Sequence, residues 1–177
     1  MAKSQEVHFE DEVVAALTEP GGLGWTLADN QGIEFQTGIA TDELMSFIGT
    51  TQPDEWNKLL TNLGGDVEKA QVEFRKRVAS ELDARGTIDV LRNGIKGWGC
   101  SFRLCFFRPS SKKNLGLWEQ YKANRLTVTR QQRYSAKHNN TLDVVLWVNG
   151  LAVATVELKN PLTGQTVEHA KTQYKTD

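Results

Sequence analysis

Three residues near the end of the sequence have types and spacing suited to hydrolysis at phosphorus: Asp143, Glu157 and Lys159. Two carboxylates offer hard oxygen ligands of the kind Mg²⁺ takes, leaving octahedral positions for waters and a phosphate oxygen. A metal held this way polarises the phosphoryl group and lowers the pKa of a bound water, giving a nucleophile at neutral pH. Lys159 follows Glu157 by about 6.6–7 Å of strand, where it can orient that water and offset charge on the pentavalent phosphorane. The backbone carbonyl of Leu158, between them, points sideways and is a further candidate metal ligand. The bare pattern D-x(13)-E-x-K is a weak signal. Charges on the solvent side of an edge hairpin would produce it too.

The elements that must position these groups give the pattern its weight. Asn149-Gly150 is a strong hairpin signal between two apolar runs, 142–148 and 151–159. Leu142, Val144, Leu146 and Val148 form one apolar set, and Ala152, Ala154, Val156 and Leu158 form another. Side chains alternate faces with period two, so these even-numbered residues share a buried face. Asp143, Glu157 and Lys159 then share the opposite face. A plain two-residue Asn-Gly turn would pair even residues with odd ones, and a one-residue slip flips every side chain. The matched apolar sets therefore predict a three-residue loop, such as Val148-Asn149-Gly150 with Gly150 left-handed in a bulge.

Upstream, the apolar spacing predicts an amphipathic helix over 7–17, ending before Glu19-Pro20. The glycine-rich 21–25 turn lacks the GK[ST] ending of a phosphate-binding loop. Helices are expected to open at Thr41 and Pro53, and the longest helical pattern runs from 66 to 84, stopped by Gly86. Strands are expected over 88–91, 102–107 and 125–134, a loop over 110–114, and a last helix from about Thr166.

Composition sets outer bounds. With 177 residues, 39% hydrophobic and 24% charged, this is a soluble globular chain with room for a real core. It has no apolar run long enough to span a bilayer and no signal-peptide pattern, so a cytoplasmic location is expected. Cys100 and Cys105 form neither a disulfide framework nor a zinc site. The net charge of -1 hides an asymmetry: residues 101–142 carry nine Lys or Arg against one acid, Glu119. Arg125, Arg130, Arg133 and Lys137 are the cations nearest Asp143 in sequence and the candidates for DNA phosphate contact.

Four segments also resemble a known family: 124–131 (NRLTVTRQ), 141–143 (TLD), 149–151 (NGL) and 156–160 (VELKN). They are similar to the N-terminal nuclease region of type I restriction enzyme R (motor) subunits, of the PD-(D/E)XK superfamily. Weaker similarity extends through Phe9-Glu10, Gly24-Trp25 and the 89–92 segment. The resemblance implies an α/β fold: a central mixed β-sheet flanked by helices, with a helical insertion at about 41–86 and the catalytic hairpin at 141–160. It implies one nuclease domain over 1–177, the N-terminal part of a much longer chain. Mg²⁺-dependent cleavage of double-stranded DNA follows from it, with ATP needed only by a downstream motor and with methylation and specificity subunits as partners. Asp143, Glu157 and Lys159 fall at the family's catalytic positions. Glu10 matches an N-terminal glutamate that approaches the metal, although a surface acid fits its sequence equally well. Gln173 falls at the glutamine of the family's Gln-x-x-x-Tyr motif, but Asp177 stands at the tyrosine position and Tyr174 is out of phase. Two alternatives stay open: a non-catalytic DNA-binding and docking module that keeps the fold, and a stand-alone structure-specific nuclease.

Overall fold

The computed structural model describes residues 2–158. Among them it has six helices and eight strands: α1 (Ala2–Thr18), β1 (Thr26–Leu27), β2 (Ile33–Glu34), β3 (Ile39–Ala40), α2 (Thr41–Thr51), α3 (Pro53–Asn62), α4 (Val67–Arg85), α5 (Thr87–Asn93), β4 (Ile95–Gly97), β5 (Cys100–Phe102), α6 (Leu115–Lys122), β6 (Leu126–Arg133), β7 (Thr141–Val148) and β8 (Leu151–Val156). Six strands form a mixed sheet in the order β1-β6-β7-β8-β3-β2, with β1 parallel to β6 and β3 antiparallel to both β2 and β8. The molecule is therefore α/β, as expected. The described residues divide into two compact units, one of residues 31–126 and 147–153, the other of residues 2–30, 127–146 and 154–158.

The 31–126 unit is mostly helical. Asp42 and Glu43 favour the start of α2 through its dipole, and Pro53 occupies the first turn of α3. The Asp66 carboxylate caps α4 by accepting from the Lys69 amide at 3.0 Å, and Gly86 at φ 76° ends it. Phe47, Phe74, Phe102, Leu59 and Leu104 are fully buried in its core, with Phe74 and Phe102 edge to face at 4.9 Å.

Two expected strands in this unit are corrected. Residues 88–91 lie in α5, a two-turn helix bracketed by Gly86 and Gly94, both at positive φ. A four-residue apolar run carries no period of its own, and here the glycine brackets and the i,i+4 bond from Asn93 Nδ2 to Asp89 Oδ1 favour helix. Of 102–107, only Phe102 is in a strand, paired with Ile95. Beyond it, side-chain amides take the place of a neighbouring strand. Gln52 exchanges two hydrogen bonds with the Arg103 backbone, Asn124 exchanges two with Phe106, and Asn149 Nδ2 donates to the Leu104 carbonyl. Helix α6, which the sequence reading did not anticipate, is capped by Asn114 accepting from the Leu117 amide at 3.2 Å.

In the other unit, Val14 of α1 is buried with Val128 and Val144, and Leu17, Trp25, Leu146 and Val156 pack around them. Part of the apolar face predicted for the hairpin, Val144, Leu146 and Val156, thus packs with a helix residue, whereas Ala154, predicted on that face, is exposed. The opposite face is not purely polar, because Val145 and Trp147 are also buried. The predicted three-residue loop is corrected as well. β7 ends at Val148 and β8 starts at Leu151, with Asn149 at φ 53° and Gly150 at φ 82° between them. Two successive positive φ values define a primed two-residue turn, which Asn-Gly favours. The phase shift inferred from the sequence falls later, within β8. Val148 and Val153 pack against the core of the 31–126 unit, whereas Val156 packs with the cluster of Val14, Val128 and Val144. Residues three apart cannot share a face under strict alternation. The consecutive exposed pair Ala154 and Thr155 marks the break.

Candidate functional site

Asp143 sits mid-strand in β7, half-buried. Its Oδ2 accepts the backbone amide of Leu158 at 2.6 Å, and its Oδ1 accepts from Gln131 Nε2 at 3.2 Å. The first bond ties the carboxylate to the chain leaving β8, one residue past Glu157. Glu157 is half-buried, with its Oε2 shielded from solvent. Each Asp143 oxygen has two lone-pair directions, so both keep acceptor capacity beyond these bonds.

Glu10 comes to the same place from α1. It is 5% exposed, and its Oε2 accepts from Gln131 Nε2 at 2.8 Å. One amide nitrogen therefore donates to both Glu10 and Asp143. Glu10 Oε1 accepts from Arg130 Nε at 2.6 Å, and Arg130 also pairs with Asp11 at 2.7 Å. The hydrogen bond to Glu10 leads the contributions that hold the Arg130 guanidinium more firmly protonated than usual, against the opposing effect of its burial. Glu10 is therefore not the surface acid that its sequence equally fits, but a buried carboxylate joined to Asp143 through Gln131.

The other predicted residues are spread more widely. Arg125 is in the 31–126 unit, where its guanidinium grips the Glu43 carboxylate through two nitrogens. Arg133 donates from Nε to the His138 carbonyl at 3.1 Å, bracing the 134–140 connection, and Lys137 is exposed within that connection. Lys159 and Gln173 lie outside the described residues. Among the described residues, no group of three or more His, Cys, Asp or Glu side chains is arranged to hold a metal. Gln131 is the member that sequence reasoning missed. It stood inside the quoted 124–131 segment, but a neutral amide gives no charge signal.

One unit thus places a buried helix glutamate beside a strand aspartate, joined through one side-chain amide. The chain belongs to the family described as the N terminus of the type I restriction enzyme R protein, whose model matches residues 10–177. No curated protein and no solved structure gives a match. No helix among the described residues is long and apolar enough to cross a membrane.

Proposed function

We propose that this chain is the nuclease domain of a type I restriction R protein, with a PD-(D/E)XK core that cuts double-stranded DNA using Mg²⁺. The observation that carries the reading is the 2.6 Å bond from the Leu158 amide to Asp143 Oδ2. It holds the Glu157–Leu158 backbone against the aspartate, as a shared site requires. Val156 packs with the cluster that includes Val14 of α1, and alternation continued past it would turn Glu157 toward the Asp143 side.

The donor chemistry fits a hard divalent cation. Asp143 and Glu157 would hold Mg²⁺, with the Leu158 carbonyl and Glu10 as further oxygen donors. When bound, the metal supplies Lewis acidity and an activated water. The chain's own groups would do the rest: the acids would hold the cation that takes up a phosphate oxygen, and Lys159 would offset the charge that grows on the phosphate. Arg130, Arg133, Lys137 and Arg125 are the proposed phosphate contacts. The wider proposal has a motor that uses ATP, with methylation and specificity subunits as partners in a type I complex.

The test is cleavage of a target-bearing plasmid by the assembled complex, with and without Mg²⁺. Asp143→Ala, Glu157→Ala and Lys159→Ala should each abolish cutting while ATP hydrolysis and translocation persist. Cutting at the normal rate by the Lys159 variant would sink the nuclease reading in favour of a docking module.

A further inference from the structure

We propose that Gln131 is the positioning residue that converts Glu10 and Asp143 into one acidic site; this rests on the metal-dependent reading above. The two acids come from α1 and β7, elements distant in sequence whose packing through Val14 and Val144 does not itself join the carboxylates by a hydrogen bond. Gln131 does so. Its Nε2 donates to Glu10 Oε2 at 2.8 Å and to Asp143 Oδ1 at 3.2 Å, which uses both amide hydrogens. Its orientation is set from the other side, where Thr141 Oγ1 donates to Gln131 Oε1 at 3.0 Å. The reversed amide would aim an oxygen at two carboxylate oxygens, so the acids themselves dictate the orientation.

The backbone also points to a special role. Gln131 lies inside β6 at φ 46°, a left-handed conformation that a non-glycine residue rarely adopts within a strand. Such positions are costly and persist where the surroundings over-determine them. Here Asn30 Nδ2 donates to the carbonyls of both Arg130 and Gln131, at 2.9 and 3.2 Å, and pins the irregular segment. The bend delivers an exposed side chain to a buried glutamate and a half-buried aspartate. Two partly desolvated like charges repel, and the polarised N–H groups between them offset part of that repulsion. A cation then meets acids already gathered, with less ordering left to do on binding.

Mn²⁺ binding to the full chain, followed by the paramagnetic resonance of free Mn²⁺, tests this. Gln131→Met keeps the side-chain length and removes the donor. It should weaken binding about 10–100-fold, the usual effect of losing a hydrogen bond that orients a ligand. Thr141→Val, which touches neither acid, should act in the same direction by less, and it carries the test if Gln131→Met fails to fold. In a Glu10→Ala background, Gln131→Met should add much less than it does alone, since coupled residues are not additive. Unchanged or tighter Mn²⁺ binding in Gln131→Met, or full additivity with Glu10→Ala, overturns the proposal. Asp143→Ala separates the two readings: if it binds Mn²⁺ as the parent does, the metal reading itself fails. Independently of metal, the Gln131 side-chain amide resonances should shift in both Glu10→Ala and Asp143→Asn. Resonances indifferent to either change overturn the geometry.

Discussion

At the scale of single residues, Asp143 shows how hydrogen bonding changes a conclusion that charge alone would give. Repulsion between neighbouring acids predicts a small gain in stability when one is removed. Asp143, however, accepts the Leu158 amide and the Gln131 side chain, and truncation leaves both donors without that acceptor. Asp143→Ala should therefore lose about 1–3 kcal/mol. Asp143→Asn retains an acceptor oxygen for the Leu158 amide and should unfold close to the parent. Both should lose cleavage equally, and thermal melts beside plasmid assays would check the split; equal melting of Asn and Ala variants would contradict it. The two cysteines give a second residue-scale expectation. Burial pushes both thiols up from their ordinary range, and Glu55 adds to the effect at Cys100. A folded-state pKa raised above the unfolded value contributes stability that is complete below the unfolded thiol pKa and is lost as pH rises through the folded one. Alkylation by iodoacetamide at pH 8 should thus be much slower in the folded chain than in urea, and stability should decline on the alkaline side. Asp143 and Glu157 were legible because charges interrupt an apolar alternation. Gln131 was not, since its importance lies in where a strained backbone sends it.

At the scale of elements, the hairpin turn is the sharpest case. Asn149 is fully buried, and its side chain accepts the Arg125 amide at 2.7 Å while donating to the Leu104 carbonyl at 2.8 Å and to Asn124 Oδ1 at 3.0 Å. Its backbone sits at φ 53°. Asn149→Gly should lose only the side-chain bonds, about 2–4 kcal/mol, while Asn149→Ala should lose those and add left-handed strain of about 1 kcal/mol. Gly150 is more restrictive still, because a Cβ there would lie 2.5 Å from the Ala40 carbonyl oxygen and 2.7 Å from the Leu44 amide nitrogen. Gly150→Ala should be the worst of the three in urea melts, and any other ranking would mean that the turn relaxes. The sequence signalled this turn, and also the α2, α3 and α4 starts, because Asn-Gly, acidic first turns, Pro53 and the Asp66 cap act locally. It misled over 88–91 and 103–107 because there the outcome depends on distant partners: a glycine bracket for one, and amides from Gln52, Asn124 and Asn149 for the other. The loop length was misjudged for a related reason. The apolar sets required a change of phase, and nothing local distinguished a longer turn from a break at Ala154 and Thr155.

At the scale of the whole molecule, the hairpin was readable from periodicity and the α/β class came with the family resemblance, whereas the division into two units was not readable, since it depends on which segments meet. Charge distribution was readable only as a sum. Residues 101–142 are strongly basic, yet the structure separates their cations by partner. Arg125 and Arg130 are engaged with carboxylates, Glu43 for one and Glu10 with Asp11 for the other, and Lys137 is exposed. Phosphate binding releases counterions condensed on DNA, so each cation that contacts a phosphate steepens the salt dependence of affinity by about 0.9 in log–log slope. Arg125 must leave Glu43 to make such a contact, and that exchange of one anion for another returns little. Lys137 faces no such exchange among its described interactions. Lys137→Gln should therefore flatten the slope by about 0.9, Arg125→Gln should flatten it by clearly less, and neither should favour one DNA sequence over another. Fluorescence anisotropy of two unrelated duplexes across a range of salt concentrations would check this. A larger effect from Arg125, or a loss confined to one duplex, would mean that the ion pair opens on binding or that the site reads bases. In the first case the phosphate contacts would have to be redrawn around Arg125 rather than Lys137, and in the second the residue responsible would have to be reassigned from phosphate to base contact.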